Sequence, residues 1–260
     1  MWDVVIAIVL GLLIGLFSGL FGVGGSSIAT PLLRVFLGTS PLIALGSPLP
    51  VTLPVALSGT FVYQRHGLIS WRVVAWTAIG GMPCVVLGSV LTRWAPEHGL
   101  MLLVAASMVV AGWQLLRPSA SSGGDASSGV ENTVWRHPPV AILLAVALVV
   151  GLLSGLLAIG GGLFLIPVFI LLLGADMRQA AATSLACVAF LAVPGTVTHA
   201  LLGHIDGWLS LQLALAVIPA TYLGARLLLW LPQRRVRWLF GVFLLAFAVY
   251  FFVRELIEAV

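Results

Sequence analysis

Gly15-Leu16-Phe17-Ser18-Gly19-Leu20-Phe21-Gly22-Val23-Gly24-Gly25 returns later in the chain as Gly151-Leu152-Leu153-Ser154-Gly155-Leu156-Leu157-Ala158-Ile159-Gly160-Gly161, and each copy runs on to a proline, Pro31 or Pro167. The offset is 136, Gly15 to Gly151, and it needs no gap. It also pairs Gly59-Thr60 with Gly195-Thr196, Pro83 with Pro219, Leu87-Gly88 with Leu223-Gly224, Trp94 with Trp230 and Pro96 with Pro232. An ungapped match across most of a half-chain is the mark of internal duplication.

The 260 residues are 61% hydrophobic and 8% charged, with a mean hydropathy of +1.17. Soluble domains carry about 25% charged residues, so the composition predicts a polytopic membrane protein embedded in a lipid bilayer. The basic pI of 9.8 comes from arginines alone, and they sit mostly between apolar runs. That is a topology signal and not a nucleic-acid surface. Cys84 and Cys187 both fall inside apolar runs, with no disulfide or metal spacing. They read as small buried hydrophobes. Trp71, Trp94, Trp135, Trp208, Trp230 and Trp238 fall near run ends, as in an interfacial aromatic belt.

Val4 to Phe21 is long enough to span a bilayer. It stops at Gly22-Val23-Gly24-Gly25-Ser26-Ser27, and a short run, Ile28 to Leu37, follows. A long run, a glycine break and a short run read as a hairpin or as one broken span. Either way the irregular backbone must be buried in protein or line a cavity. Leu42 to Tyr63 is the next crossing, irregular in its first half because of Pro48, Pro50 and Pro54. Val73 to Leu91 and Leu100 to Leu116 complete the first series. The second series repeats it with Val140 to Leu157, a break at Ala158 to Gly162, then Leu163 to Leu173, Ala180 to Leu202, Trp208 to Leu231 and Trp238 to Val253.

Equivalent loops carry opposite charge bias. Arg65 and Arg72 flank one loop, whose partner around His204–Asp206 has no arginine. Arg234, Arg235 and Arg237 lie in another, whose partner near Glu97–His98 has only Arg93 nearby. Under the positive-inside rule such loops lie on opposite sides of the membrane. The sequence therefore predicts an all-α protein of two inverted-topology repeats. It has five plus five segments when each broken element counts as a hairpin. Residues 1–117 form the first membrane repeat, 118–137 a small, polar, flexible cytoplasmic linker, and 138–260 the second, inverted repeat. Both termini are expected outside.

Two functions compete for the glycines. Gly15, Gly19, Gly151 and Gly155 have the small-xxx-small spacing that lets membrane helices approach closely. Ser18 and Ser154 beside them are expected to hydrogen-bond within or between helices. Gly24, Gly25, Ser26 and Ser27, and Gly160, Gly161 and Gly162, instead sit where one helix ends and another begins. A helix N-terminus carries unpaired N–H groups and partial positive charge. Without side chains in the way, those groups can touch an anion. Inverted repeats bring two such breaks together near the bilayer centre, where transporter sites form; plain tight-turn packing is the alternative.

Hydroxyls can complete an anion site without adding a buried charge. Ser47 and Thr183 are repeat partners, and Ser184, Thr60 and Thr196 lie on the same crossings. Each is open to a second reading as a helix-packing hydroxyl. His199, the repeat partner of Tyr63, is either an interfacial histidine or a proton-linked gate. Arg226, six residues before Pro232, reads as snorkelling to the cytoplasmic face, with anion contact as the alternative. No acid lies well inside a crossing, which argues against a cation substrate. No catalytic, nucleotide or dinucleotide motif is present, so neither an enzyme nor a cofactor is expected. No metal site is expected either.

At these residues the chain resembles the sulfite exporter TauE/SafE family, also described as 4-toluenesulfonate uptake-like permeases. The resemblance rests on the paired glycine stretches, on Ala181-Ala182-Thr183-Ser184-Leu185, and on Gly203-His204-Ile205-Asp206 followed by Leu223-Gly224-Ala225-Arg226-Leu227. It covers nearly the whole chain outside the linker. It implies an inner-membrane, multi-pass carrier whose partner is a small sulfur-containing anion such as sulfite or an organosulfonate. Gly46-Ser47-Pro48 departs from the family's threonine-serine pair. The expectation is a secondary transporter, in the direction of export. A passive anion channel and a non-transporting membrane scaffold are the alternatives. Substrate and oligomeric state are left open.

Overall fold

A computed structural model describes residues 2–116 and 139–259; the expected linker, 118–137, and Trp135 lie outside them. The apolar runs become helices, because in lipid every backbone polar group must pair along its own segment. In order they are α1 (Trp2–Phe21), α2 (Ser26–Phe36), α3 (Pro41–Gly46), α4 (Pro48–Gln64), α5 (Trp71–Leu91), α6 (Glu97–Leu116), α7 (Val140–Leu157), α8 (Gly162–Leu173), α9 (Met177–Leu201), α10 (Gly207–Trp230) and α11 (Gln233–Ala259). Among the described residues, seven helical stretches are long and apolar enough to cross a membrane, with Pro41–Gln64 counted as one. The protein is an all-α polytopic membrane protein.

The duplication is visible in the helix starts. Ser26, Pro41, Trp71 and Glu97 begin helices, and so do Gly162, Met177, Gly207 and Gln233, each 136 positions on. The one departure is the split between α3 and α4 at Ser47, where α9 is continuous. Pro48 and Pro50 explain it, since neither can donate a helical hydrogen bond. Two of the later starts are capped by acids. Asp176 accepts from the Gln179 N–H at 2.7 Å, and Asp206 from Trp208 and Leu209 at 2.9 and 3.1 Å. Trp71, Trp94, Trp208, Trp230 and Trp238 are all exposed near helix ends, as an interfacial belt requires.

The helices pack in pairs that the duplication exchanges. α1 lies along α10, and its equivalent α7 lies along α5; α4 packs on α9, α10 on α4, α5 on α9, and α6 on α11. Gly11 faces Leu213 and Ala216, Gly15 faces Val217 and Ala220, and Gly19 faces Thr221 and Ala225, so α1 and α10 run parallel. α5 and α7 match them, with Gly81 against Ala147 and Gly88 against Leu152 and Leu156. At the centre, Gly59 touches Leu185 while Gly195 touches Leu49. The repeat partners α4 and α9 are therefore antiparallel.

The two parallel pairs are held by close approach. A methyl on Gly19 would run into the Thr221 carbonyl, and one on Gly155 into the Val85 carbonyl. The opposing helices are equally tight, with Gly88 against the Leu152 carbonyl and Gly224 against the Leu16 carbonyl. Lipid tails are as apolar as leucine, so such van der Waals contact is what drives helix association in a membrane. The small-xxx-small reading holds for Gly15, Gly19, Gly151 and Gly155, each of which abuts a backbone carbonyl of the facing helix.

One end of the bundle gathers arginines. Arg65 and Arg226 line a common cleft, Arg178 Nη2 donates to the Leu231 carbonyl at 3.2 Å, and Arg237 Nε to the Leu115 carbonyl at 2.7 Å. The loops with Glu97, His204 and Asp206 lie at the other end.

Candidate site at the paired glycine breaks

The two breaks meet inside the bundle. Gly24 and Gly160 both lie against Thr52 and Val188, themselves repeat partners, at the crossing of α4 and α9. A methyl on Gly160 would stand 3.4 Å from Ser26 Oγ, and one on Gly162 would strike the Val23 carbonyl. Gly24, Gly160 and Gly161 hold φ of +78°, +71° and +84°, a region open to glycine at little cost. From this meeting point α2 runs towards α3 and the Asp206 end, and α8 towards α9 and the arginine end. Two helix N-termini are thus back to back in mid-bundle. Every residue from 21 to 33 and from 157 to 163 is buried, so, among the described residues, the breaks present no exposed surface.

Donors converge there. Ser26 and Ser27, expected within the break, form the first turn of α2. The Gly25 carbonyl takes the Ala29 N–H at 3.0 Å, which leaves the earlier N–H groups without a helical acceptor. In α8 the Gly161 carbonyl takes the Phe164 and Leu165 N–H groups. Ser26 Oγ is buried with no partner. Ser27 Oγ donates to the Val23 and Gly24 carbonyls at 3.3 Å, and Ser184 Oγ to the Gly162 carbonyl at 3.4 Å. Ser18 and Ser154, expected to hydrogen-bond, are buried and unpartnered as well. Ser154 Oγ stands 3.5 Å from where a methyl on Gly161 would be.

The remaining hydroxyls lie elsewhere. Ser47 Oγ accepts from the Asp206 N–H at 2.9 Å, and Thr183 Oγ1 from the Ser70 N–H at 3.2 Å. Ser47 and Thr183 are equivalent, and so are Ser70 and Asp206, so the two bonds form one reciprocal seam between the halves. Thr60 and Thr196 sit eight residues past Thr52 and Val188, roughly 12 Å along their helices, with Oγ1 unpartnered. The partners of the seam are distant in sequence, and no local signal announces them.

His199 has a structural bond that its repeat partner shares. Tyr63 Oη donates to the Gly19 carbonyl at 2.5 Å, and His199 Nε2 contacts the equivalent Gly155 carbonyl at 3.0 Å. A carbonyl only accepts, so Nε2 carries the proton. Tyr63 thereby serves a carbonyl in the last turn of α1, whereas the Gly155 carbonyl also takes the Ala158 N–H at 3.4 Å and the Ser89 hydroxyl at 3.3 Å. His199 Nδ1 also lies 3.1 Å from His204 Nδ1, a contact with room for one proton between the two nitrogens. In the sequence His204 is part of the loop stretch Gly203-His204-Ile205-Asp206 and is not among the expected site residues. Burial lowers its pKa below the ordinary 6.5, while Glu97 opposes the shift.

The profile of the sulfite exporter TauE/SafE family matches residues 7–251. The chain belongs to that family. Curated relatives carry the same coarse description. YunE of Bacillus subtilis (strain 168), a "probable membrane transporter protein", is 28% identical over 239 residues, covering 86% of each chain. A "probable membrane transporter protein" of Xylella fastidiosa (strain 9a5c) is 28% identical over 251 residues, covering 95% of this chain and 94% of its own. No solved structure matches. The protein is a membrane transporter of the TauE/SafE family.

Proposed function

We propose that this TauE/SafE transporter is a secondary carrier that exports a small sulfur-containing anion, such as sulfite or an organosulfonate, across the cell inner membrane. The observation that carries the reading is the meeting of two helix N-termini around the unpartnered Ser26 hydroxyl. Unfilled N–H groups and helix-end positive charge suit an oxyanion, and the site adds no carboxylate to repel one. Gly24, Gly25, Ser26, Ser27, Gly160, Gly161, Gly162 and Ser184 form its wall. The repeats are inverted in this reading. Antiparallel repeat partners at the centre and the reciprocal Ser47–Asp206 and Thr183–Ser70 bonds support that, and positive-inside bias sets the arginine end in the cytoplasm. Buried breaks support an alternating carrier over an open pore, with the two N-termini parting to release substrate. His199, with His204, is the proton link.

Flux of sulfite, sulfoacetate and thiosulfate into proteoliposomes tests the reading. At least one anion should move faster than in protein-free vesicles, and unlabelled anion on the far side should accelerate it. His199→Gln should flatten the pH profile of that flux. Background flux of all three anions would overturn the substrate class. Flux without acceleration would replace the carrier by a channel.

A further inference from the structure

The arginine end carries a cleft that the paired breaks do not explain. It lies between the last turns of α4 and α10, encloses about 40 Å³, and is lined by Phe61, Val62, Arg65, His66, Tyr222 and Arg226. That volume suits about three waters or one phosphate-sized group. Arg65 Cζ lies 4.3 Å from the centre of the Phe61 ring, and Arg226 Cζ 4.5 Å from that of Tyr222. Ring stacking holds each guanidinium flat and leaves its N–H edge for a ligand. Among the described residues no carboxylate pairs with either arginine.

The duplication supplies an internal comparison. At the equivalent positions of the other repeat, Arg65 becomes Leu201, His66 becomes Leu202 and Arg226 becomes Val90, while Phe61 and Tyr222 become Val197 and Val86. A feature demanded by the fold would recur at both ends. This one is an addition to the arginine end alone. Its surroundings say what kind of anion it serves. Leu57 and Phe61 follow one another at helical spacing on α4, and Leu215, Ile218 and Tyr222 do so on α10. Leu57, Phe61, Leu215 and Ile218 are exposed. The two stripes flank the junction where Ser58 Oγ donates to the Ile218 carbonyl at 3.2 Å. They lead from the cleft towards the middle of the membrane. Arg65 stands 13 residues beyond Thr52, roughly 20 Å along α4 from the breaks.

We propose that the cleft binds the headgroup phosphate of an anionic phospholipid of the cytoplasmic leaflet, with an acyl chain laid along the Leu57–Phe61 and Leu215–Ile218 stripes. Basic pockets between membrane helices on the cytoplasmic side suit such headgroups, and a free anion has no use for the apolar wall. The site stands whether or not the breaks carry sulfite.

Native mass spectrometry and thermal unfolding in neutral detergent test it, with phosphatidylglycerol, phosphatidylcholine and inorganic phosphate as separate additions. Phosphatidylglycerol should bind more tightly than phosphatidylcholine and raise Tm. Arg65→Gln with Arg226→Gln should weaken it about thirtyfold, near fivefold per arginine. The lysine pair, Arg65→Lys with Arg226→Lys, should keep most of the binding and so exclude misfolding as the cause. Changing Leu201 and Val90 to Gln should have no effect. Equal affinity for the two lipids, or full affinity in the double glutamine variant, overturns the proposal. So does inorganic phosphate alone reproducing the stabilisation, which would assign the cleft to a soluble anion.

Discussion

Gly25 and Gly161 are repeat partners that tolerate a methyl group unequally. Gly25 has φ −60°, and an added Cβ would rest 3.4 Å from Ile14 Cγ2 and Val55 Cγ2, an ordinary contact. Gly161 has φ +84°, so alanine there is strained whatever its function. Gly25→Ala is therefore the variant that separates anion contact from packing. Its stability should hold or rise, by about 0.4–1 kcal/mol through the unfolded chain and seen as an unchanged or higher Tm, while sulfite flux falls. Ser26→Ala removes a buried hydroxyl that has no protein partner, so stability should not fall. Loss of a hydrogen bond to a charged ligand costs about 1.5–3 kcal/mol, a tenfold to hundredfold drop in affinity. Unchanged sulfite affinity in both variants would move the site elsewhere. The breaks could be read from sequence because glycine doublets recur at a fixed offset. The bonds of Ser47 and Thr183 could not, since Asp206 and Ser70 reach them only once both halves have folded.

Helix crossings impose a different rule on the other glycines. Gly19 and Gly155 press on the carbonyls of Thr221 and Val85, and backbone cannot rotate aside as a side chain can. Gly155→Ala should cost about 1–3 kcal/mol through overpacking, seen as lower Tm and lower yield in detergent. The surviving protein should keep its substrate affinity, the reverse of the Gly25→Ala outcome. Wild-type stability in Gly155→Ala would mean that α5 and α7 pack more loosely than described. Elements of this kind were legible in sequence because run length and glycine spacing are local properties. The split of Pro41–Gln64 was legible too, from its prolines. Which helix each glycine faces was not, because α1 meets α10 and α5 meets α7 only across the duplication.

Taken whole, the molecule has no self-contained half. α1 finds its long partner in α10 and α5 finds its own in α7, while the seam bonds tie Ser47 to Asp206 and Ser70 to Thr183. Severing the chain between residues 117 and 138 removes none of these contacts. Fragments 1–117 and 138–260 made together as separate polypeptides should assemble and transport, whereas either made alone should be degraded; accumulation of a lone stable fragment would contradict this. The swap also constrains how the protein is born. A ribosome delivers α1 long before α10 exists, so the nascent first half must wait in the bilayer with its glycine face uncovered. Only when α10 arrives is that face covered, so the second half acts as the chaperone of the first.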